Sequence, residues 1–222
     1  MARLVPLWAL VLTLFLSVTG LRAGERRGLV PSPALDTPLA SAKSQDTAVL
    51  AGGCFWGIQA VFEHVKGVMN ATSGYSGGSG RNAEYELVST GDTGHAESVR
   101  ITYDPSRITY GELLRVFFSV AHDPTQFNRQ GPDTGTQYRS VIFYANENQK
   151  RIAEAYIAQL DEARVFRHKI VTQVVPLAAF YPAEAYHQQY AARHPDNPYI
   201  MLNDAPKVAQ LKQQFPDLYT GK

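Results

Sequence analysis

The sequence predicts an α+β fold in two layers: a ferredoxin-like, split βαβ core with an added helix and strand and long C-terminal loops. Two observations carry this expectation. From residue 47, apolar and alternating stretches read in the order strand, helix, strand, strand, helix, strand, which is the order of a split βαβ unit. A further long helix and a strand follow, and beyond Tyr181 the periodicity fades into loops and short helices.

Each element has its own local signal. The first strand is the short apolar run Ala48-Val49-Leu50-Ala51, which stops at Gly52-Gly53. Phe55, Ile58, Val61, Phe62 and Val65 then recur at helical spacing, so strand, tight turn and helix follow one another directly. The second strand lies near Val68 to Tyr75, and the third runs through Ala96 to Tyr103. The next helix opens at Thr109-Tyr110-Gly111-Glu112, a capping-box spacing in which each side chain can bond a free backbone N–H. It continues with Leu113, Leu114, Phe117, Phe118 and Ala121 on one face. A strand from Ser140 to Tyr144, a helix from about Asn146 to Ala163 and a strand near Ile170 to Leu177 complete the pattern. The stretches 76–82 and 123–137 read as long ordered loops, where function often lies.

A chain of 222 residues at 45% hydrophobic composition is long enough to bury one full core. Its net charge of +1 makes no electrostatic case for a nucleic-acid surface or a strongly acidic substrate. Residues 1–23 stand apart: Arg3 precedes an apolar run from Leu4 to Leu21, and Ala23 offers a small residue for cleavage. This reads as a cleaved secretory signal, with Val18-Thr19-Gly20 as a second cleavage position and an uncleaved membrane anchor as the alternative. The protein is therefore expected to be exported, periplasmic or secreted, or membrane-anchored if the segment stays. Residues 24–46 are rich in Pro, Ser, Ala and charge and read as a flexible linker. Residues 47–222 are expected to form the single folded domain of this scheme.

Cys54 is the only cysteine in the chain, so no intrachain disulfide can form in an oxidising compartment. Its position at the first turn of a helix gives it unpaired N–H groups and a positive dipole end, which favour a thiolate. Gly52 and Gly53 leave room for a substrate atom beside it. The other reading is a small buried hydrophobe, the common fate of a free cysteine.

The flanks Gly53-Cys54-Phe55-Trp56-Gly57 resemble the signature of the peptide methionine sulfoxide reductase A family. Gly74-Tyr75-Ser76-Gly77-Gly78, Gly91-Asp92-Thr93-Gly94-His95-Ala96-Glu97, the run from His122 to Ser140 and Tyr181-Pro182-Ala183-Glu184-Ala185-Tyr186-His187-Gln188-Gln189-Tyr190 match the same family in the expected order. The likeness covers roughly residues 47 to 218. It implies reduction of methionine S-sulfoxide, free or in oxidised proteins, as repair under oxidative stress. A sulfenic acid on Cys54 would be the intermediate, with no metal or organic cofactor.

Glu97 is reached both from the residues and from the resemblance. In strand alternation it shares a face with Val99, Ile101 and Tyr103, so burial should disfavour its charge and keep a proton available near neutral pH. The matching family residue protonates the sulfoxide oxygen. Tyr85 and Tyr138 can donate phenolic hydrogens to a developing oxyanion, but among twelve tyrosines only the resemblance selects them. It likewise gives Asp133 an orienting role, where the bare sequence shows a turn aspartate. Phe55 suits core packing, whereas Trp56 lies off the apolar stripe and suits an aromatic wall for the S-methyl group; both are substrate-binding candidates. His95 and His187 leave a Cys/His acyl-transfer enzyme open as a rival, with a non-catalytic domain as another. No metal-ligand spacing exists among the six histidines.

Many members of this family carry further cysteines that resolve the sulfenic acid, and this chain has none. An external thiol is thus the expected partner: a small thiol or a thioredoxin-like or glutaredoxin-like protein. A monomer is expected.

Overall fold

A computed structural model describes residues 30–221. The expected signal segment 1–23 lies outside the described residues. The chain forms a mixed α+β fold around a six-stranded sheet of order β7-β6-β1-β3-β2-β8.

In chain order the elements are β1 (Asp46–Gly52), α1 (Phe55–Glu63), β2 (Val68–Ser76), α2 (Tyr85–Val88), β3 (Ala96–Tyr103) and α3 (Tyr110–Val116). A π-helical turn, Phe117–Ala121, extends α3. A small hairpin, β4 (Arg129–Gln130) and β5 (Asp133–Thr134), precedes β6 (Ser140–Tyr144), α4 (Glu147–Glu162), β7 (Gln173–Pro176) and β8 (Phe180–Pro182). The C-terminal part holds α5 (Tyr190–Arg193), a second π-helical turn (Ile200–Asp204) and α6 (Ala205–Gln214).

β1 is central because it can be: its apolar run is buried on both faces. It pairs antiparallel with β3 (Leu50 opposite Val99) and with β6 (Leu50 opposite Ile142). β3 also pairs antiparallel with β2, and β7 joins β6 in parallel across the α4 crossover. Leu50, Val99, Ile101 and Ile142 face the helices and pack with Phe55, Ile58, Phe62, Leu113 and Phe117. The opposite face carries a smaller cluster around Val49, Ala51, Val141 and Phe143. Glu97 has the parity of Val99 and Ile101, so it points among the helices.

Over residues 30–45 the flexible linker expected from composition is replaced by a docked segment without helix or strand. Val30 is buried, and its carbonyl accepts from Arg115 Nε at 3.0 Å. Tyr156 Oη donates to the Pro31 carbonyl at 2.6 Å, and Gln159 bonds both Ser32 and Ala34. Asp36 accepts from the Gly111 N–H at 2.9 Å and from the Thr109 hydroxyl. Composition does not reveal this, because the anchors are backbone groups and one capping carboxylate.

The start of α3 differs accordingly. Thr109 accepts from the Glu112 N–H at 3.1 Å, but Glu112 turns to Arg115 at 3.4 Å while Asp36 binds the helix start. Half of the capping box forms, and a carboxylate from far upstream satisfies another free N–H. Beyond Tyr181, α6 is longer than the expected short helices. Leu211 and Phe215 are its buried anchors, and Pro206 stands in its first turn.

Candidate active site

The site is built where β1 turns into α1. Gly53 adopts φ +98, and a Cβ there would lie 2.6 Å from the Gln130 side chain; only glycine suits both conditions. Cys54 is then the N-cap of α1, 8% exposed. The Trp56 N–H favours the charged form of the sulfur, and the neighbouring Phe55 N–H donates to Glu97 Oε2 at 3.0 Å. One helix turn thus holds a thiol and a carboxyl group side by side through its unpaired N–H groups.

Burial governs both charges. Glu97, 3% exposed, is pushed up to about 8, first by burial and then by the charges of Asp133 and Asp204, against the Phe55 N–H. The Cys54 thiol is pushed well up by burial, then by Glu97 and Asp204, with the Trp56 N–H and Lys207 opposing. The thiolate expected from the helix terminus is therefore not the resting form. Desolvation, with Asp204 adding to it, outweighs the dipole, and near neutral pH the pair carries protons on both sulfur and oxygen.

Three phenols surround the pair. Tyr85 opens α2 with its N–H on Glu184 Oε1 at 2.9 Å. Tyr138 closes the 3₁₀ turn Thr136–Tyr138. The phenols of Tyr85 and Tyr138 are raised first by burial and then by Glu97, and each also feels Cys54. Tyr199, from the C-terminal segment, is the third: burial and then Cys54 raise it, and its hydroxyl donates to Asp133 Oδ2. Asp133 stands in β5, so the hairpin, rather than an open turn, presents it.

Phe55 is fully enclosed, its ring 5.1 Å from His187 and 5.8 Å from Tyr75. Trp56 is half-buried and off the core stripe, as expected. One face stacks on Tyr190 at 3.9 Å and 12°, Tyr199 meets it edge-on at 6.0 Å, and the indole N–H donates to His187 Nδ1 at 3.2 Å. His187 thus accepts from Trp56 through Nδ1, while its Nε2 lies 4.0 Å from Glu184 Oε2. His95 accepts from the Gly78 N–H at 3.2 Å and meets the Ser79 carbonyl at 3.0 Å. Both of its ring nitrogens are committed to a turn. His122, lowered to about 3 chiefly by burial, bonds Ser140 and Phe117.

A cleft of about 240 Å³ reaches Cys54, lined also by His122, Asp133, Tyr199, Asn203 and Lys207. The structure brings together the sequence candidates Cys54, Glu97, Tyr85, Tyr138 and Asp133. Tyr199, Tyr190, Asp204 and Lys207 also stand around them and are not among the candidates the sequence offers. The only signal for the two tyrosines is that both follow the Tyr181-to-Tyr190 segment or end it.

A lone thiol beside a buried carboxyl group, ringed by phenols on a mixed α+β fold, suits an oxidoreductase acting on sulfur. The family described as Peptide methionine sulfoxide reductase matches residues 46–219. Peptide methionine sulfoxide reductase MsrA 2 of Mesorhizobium japonicum is 60% identical over 182 residues, covering 82% of this chain and 93% of its own. The MsrA of Sulfolobus acidocaldarius is 52% identical, covering 78% and 96%. Among solved structures, methionine sulfoxide reductase A of Corynebacterium diphtheriae is 37% identical with a TM-score of 0.59, covering 74% and 86%. Mxr1 of Saccharomyces cerevisiae in its reduced form is 32% identical with a TM-score of 0.62, covering 74% and 92%. The chain belongs to the peptide methionine sulfoxide reductase family and is an oxidoreductase acting on sulfur groups.

Proposed function

We infer that this chain reduces the S epimer of methionine sulfoxide, free or in proteins, through a sulfenic acid on Cys54 that an external thiol resolves. The observation that carries this reading is the shared turn of α1, which sets the Cys54 sulfur and the Glu97 carboxyl group on adjacent N–H groups. The epimer follows from the family resemblance.

The proton inventory of the resting pair suits the chemistry. As the sulfoxide oxygen takes the Glu97 proton, Glu97 becomes able to receive the thiol proton, and the sulfur attacks the sulfoxide sulfur as a thiolate. Tyr85 and Tyr138 donate to the oxygen, Asp133 with Tyr199 orients the cluster, and Trp56, backed by the enclosed Phe55 ring at 6.4 Å, forms the apolar side for the methyl group. Oxygen passes to Cys54 as methionine leaves, so thiol plus sulfoxide becomes sulfenic acid plus thioether. An external thiol then forms a mixed disulfide with loss of water, and a second thiol releases Cys54 and an external disulfide.

The same reading takes the four strands β6-β1-β3-β2 as a ferredoxin-like split βαβ unit, supported by their order and antiparallel pairing. It takes residues 1–23 as an export signal, 47–222 as the catalytic domain of a monomer, and a small thiol or a thioredoxin-like or glutaredoxin-like protein as reductant. The deciding experiment supplies resolved sulfoxide epimers with dithiothreitol and follows methionine by chromatography. Methionine from the S epimer alone is the expected result; no methionine from either epimer would sink the reading.

A further inference from the structure

Apart from the groups that would touch a sulfoxide, one buried ion pair lies against the first turn of α1. Asp204, the last residue of the second π-helical turn, is fully buried. Its Oδ1 stands 3.2 Å from Lys207 Nζ, while Oδ2 has no hydrogen-bond partner among the described residues. The pair reaches α1 at Gly57. A Cβ there would collide with Asp204 Oδ1 and come within 2.7 Å of Lys207 Nζ. Glycine is what lets a carboxylate and an ammonium press on the same turn that carries Cys54. Lys207 also lines the cleft that reaches the thiol.

We propose that Asp204 and Lys207 are positioning residues for the reaction, an ion pair that sets the charge at Cys54 from its place against the first turn of α1. The carboxylate holds the nucleophile as a neutral thiol between turnovers, and the ammonium limits that hold. The proposal rests on Cys54 being the nucleophile. The titratable groups that face Cys54 are Glu97 from β3, protonated near neutral pH, Asp204 and Lys207, and Asp133 from β5 lines the same cleft; burial pushes Asp204 up and the Lys207 ammonium holds it down. The phenols of Tyr85, Tyr138 and Tyr199 are raised and stay neutral, as does His122 across the cleft. Lys207 is then the one cation in this set. Burial and Glu97 act on the thiol before Asp204 does, and Lys207 opposes all three. A neutral thiol reacts slowly with alkylating agents and oxidants, so Cys54 would be spared until a sulfoxide takes the Glu97 proton.

Alkylation of Cys54 by iodoacetamide across pH reads this directly, independent of sulfoxide turnover. Asp204→Asn leaves Lys207 unopposed; its rate at pH 7 is expected to rise by about tenfold, with the profile midpoint moving down by about one unit. Asp204→Asn with Lys207→Met removes both charges and should return the rate to within about threefold of wild type. Should Asp204→Asn not fold, Asp204→Ser makes the same charge change with a smaller side chain. An unchanged profile in the single variant would overturn the proposal. So would a double variant as fast as the single one, since that marks loosened access rather than charge. Methionine formed in a single turnover reports separately on the reading of Cys54 as nucleophile.

Discussion

The Glu97 carboxyl group accepts the backbone N–H of Phe55 at 3.0 Å, one residue beyond Cys54. This bond ties the carboxyl group to the helix that carries Cys54, so the two groups cannot drift apart without unwinding the first turn of α1. It also explains why a carboxyl group pushed up to about 8 keeps a defined geometry in either protonation state.

Glu97→Gln preserves shape and one bonding edge but holds no transferable proton. The rate of sulfoxide reduction is expected to fall by roughly 10²–10⁴. Under the proposed mechanism the working form in the wild type is the protonated acid, which is present below its folded value and lost as pH rises through about 8. Reduction should therefore decline through that range, and the Gln variant should lack the decline. The same group links to stability: between 4.5 and about 8 the unfolded chain releases a proton that the fold retains, so stability falls with rising pH. Denaturation at several pH values should show a shallower fall in the Gln variant.

Cys54→Ser should abolish reduction with the fold intact, because a hydroxyl is far less nucleophilic than a thiolate. In the wild type without reductant, one methionine should form per chain, intact mass should rise by one oxygen, and a sulfenic-acid trap should label Cys54. A free thiol after that single turnover would end the mechanism. A Cys54–Cys54 dimer would keep the chemistry and assign the resolving thiol to a second copy.

Trp56→Ala removes the ring between Tyr190 and Tyr199. The sulfoxide concentration for half-maximal rate should increase, with far-ultraviolet circular dichroism unchanged. A variant unfolded by that measure would assign Trp56 to the core instead.

Asp36→Ala frees the N-terminal segment from the start of α3, where it bonds Gly111 and Thr109. Loss of a helix cap of this kind costs about 1–2 kcal/mol, read by chemical denaturation. Reduction should be unaffected, since the segment lies away from Cys54.

The β1 turn and Glu97 are legible in the sequence because both obey a local period. An apolar run ending in two glycines announces the turn, and strand alternation alone puts Glu97 beside Val99 and Ile101. The state of Cys54 is not legible. A helix N-terminus is visible in the residues, but the desolvation that overrules it comes from elements far along the chain. Tyr199 and Lys207 are hidden for another reason. α6 buries little besides Leu211, so its pattern is too sparse to place, and one tyrosine among twelve carries no mark. The docked segment 30–45 escapes notice because backbone carbonyls and Asp36, rather than apolar periodicity, hold it.

The C-terminal segment closes the site: Trp56 binds His187 across 131 positions of sequence, and Tyr199 meets Asp133 across 66. A nascent chain stopped short of Tyr199 therefore has its thiol and its acid but lacks the lid over them. Activity should appear only after synthesis is complete, and a protease that trims the last elements would silence the enzyme while leaving the sheet standing.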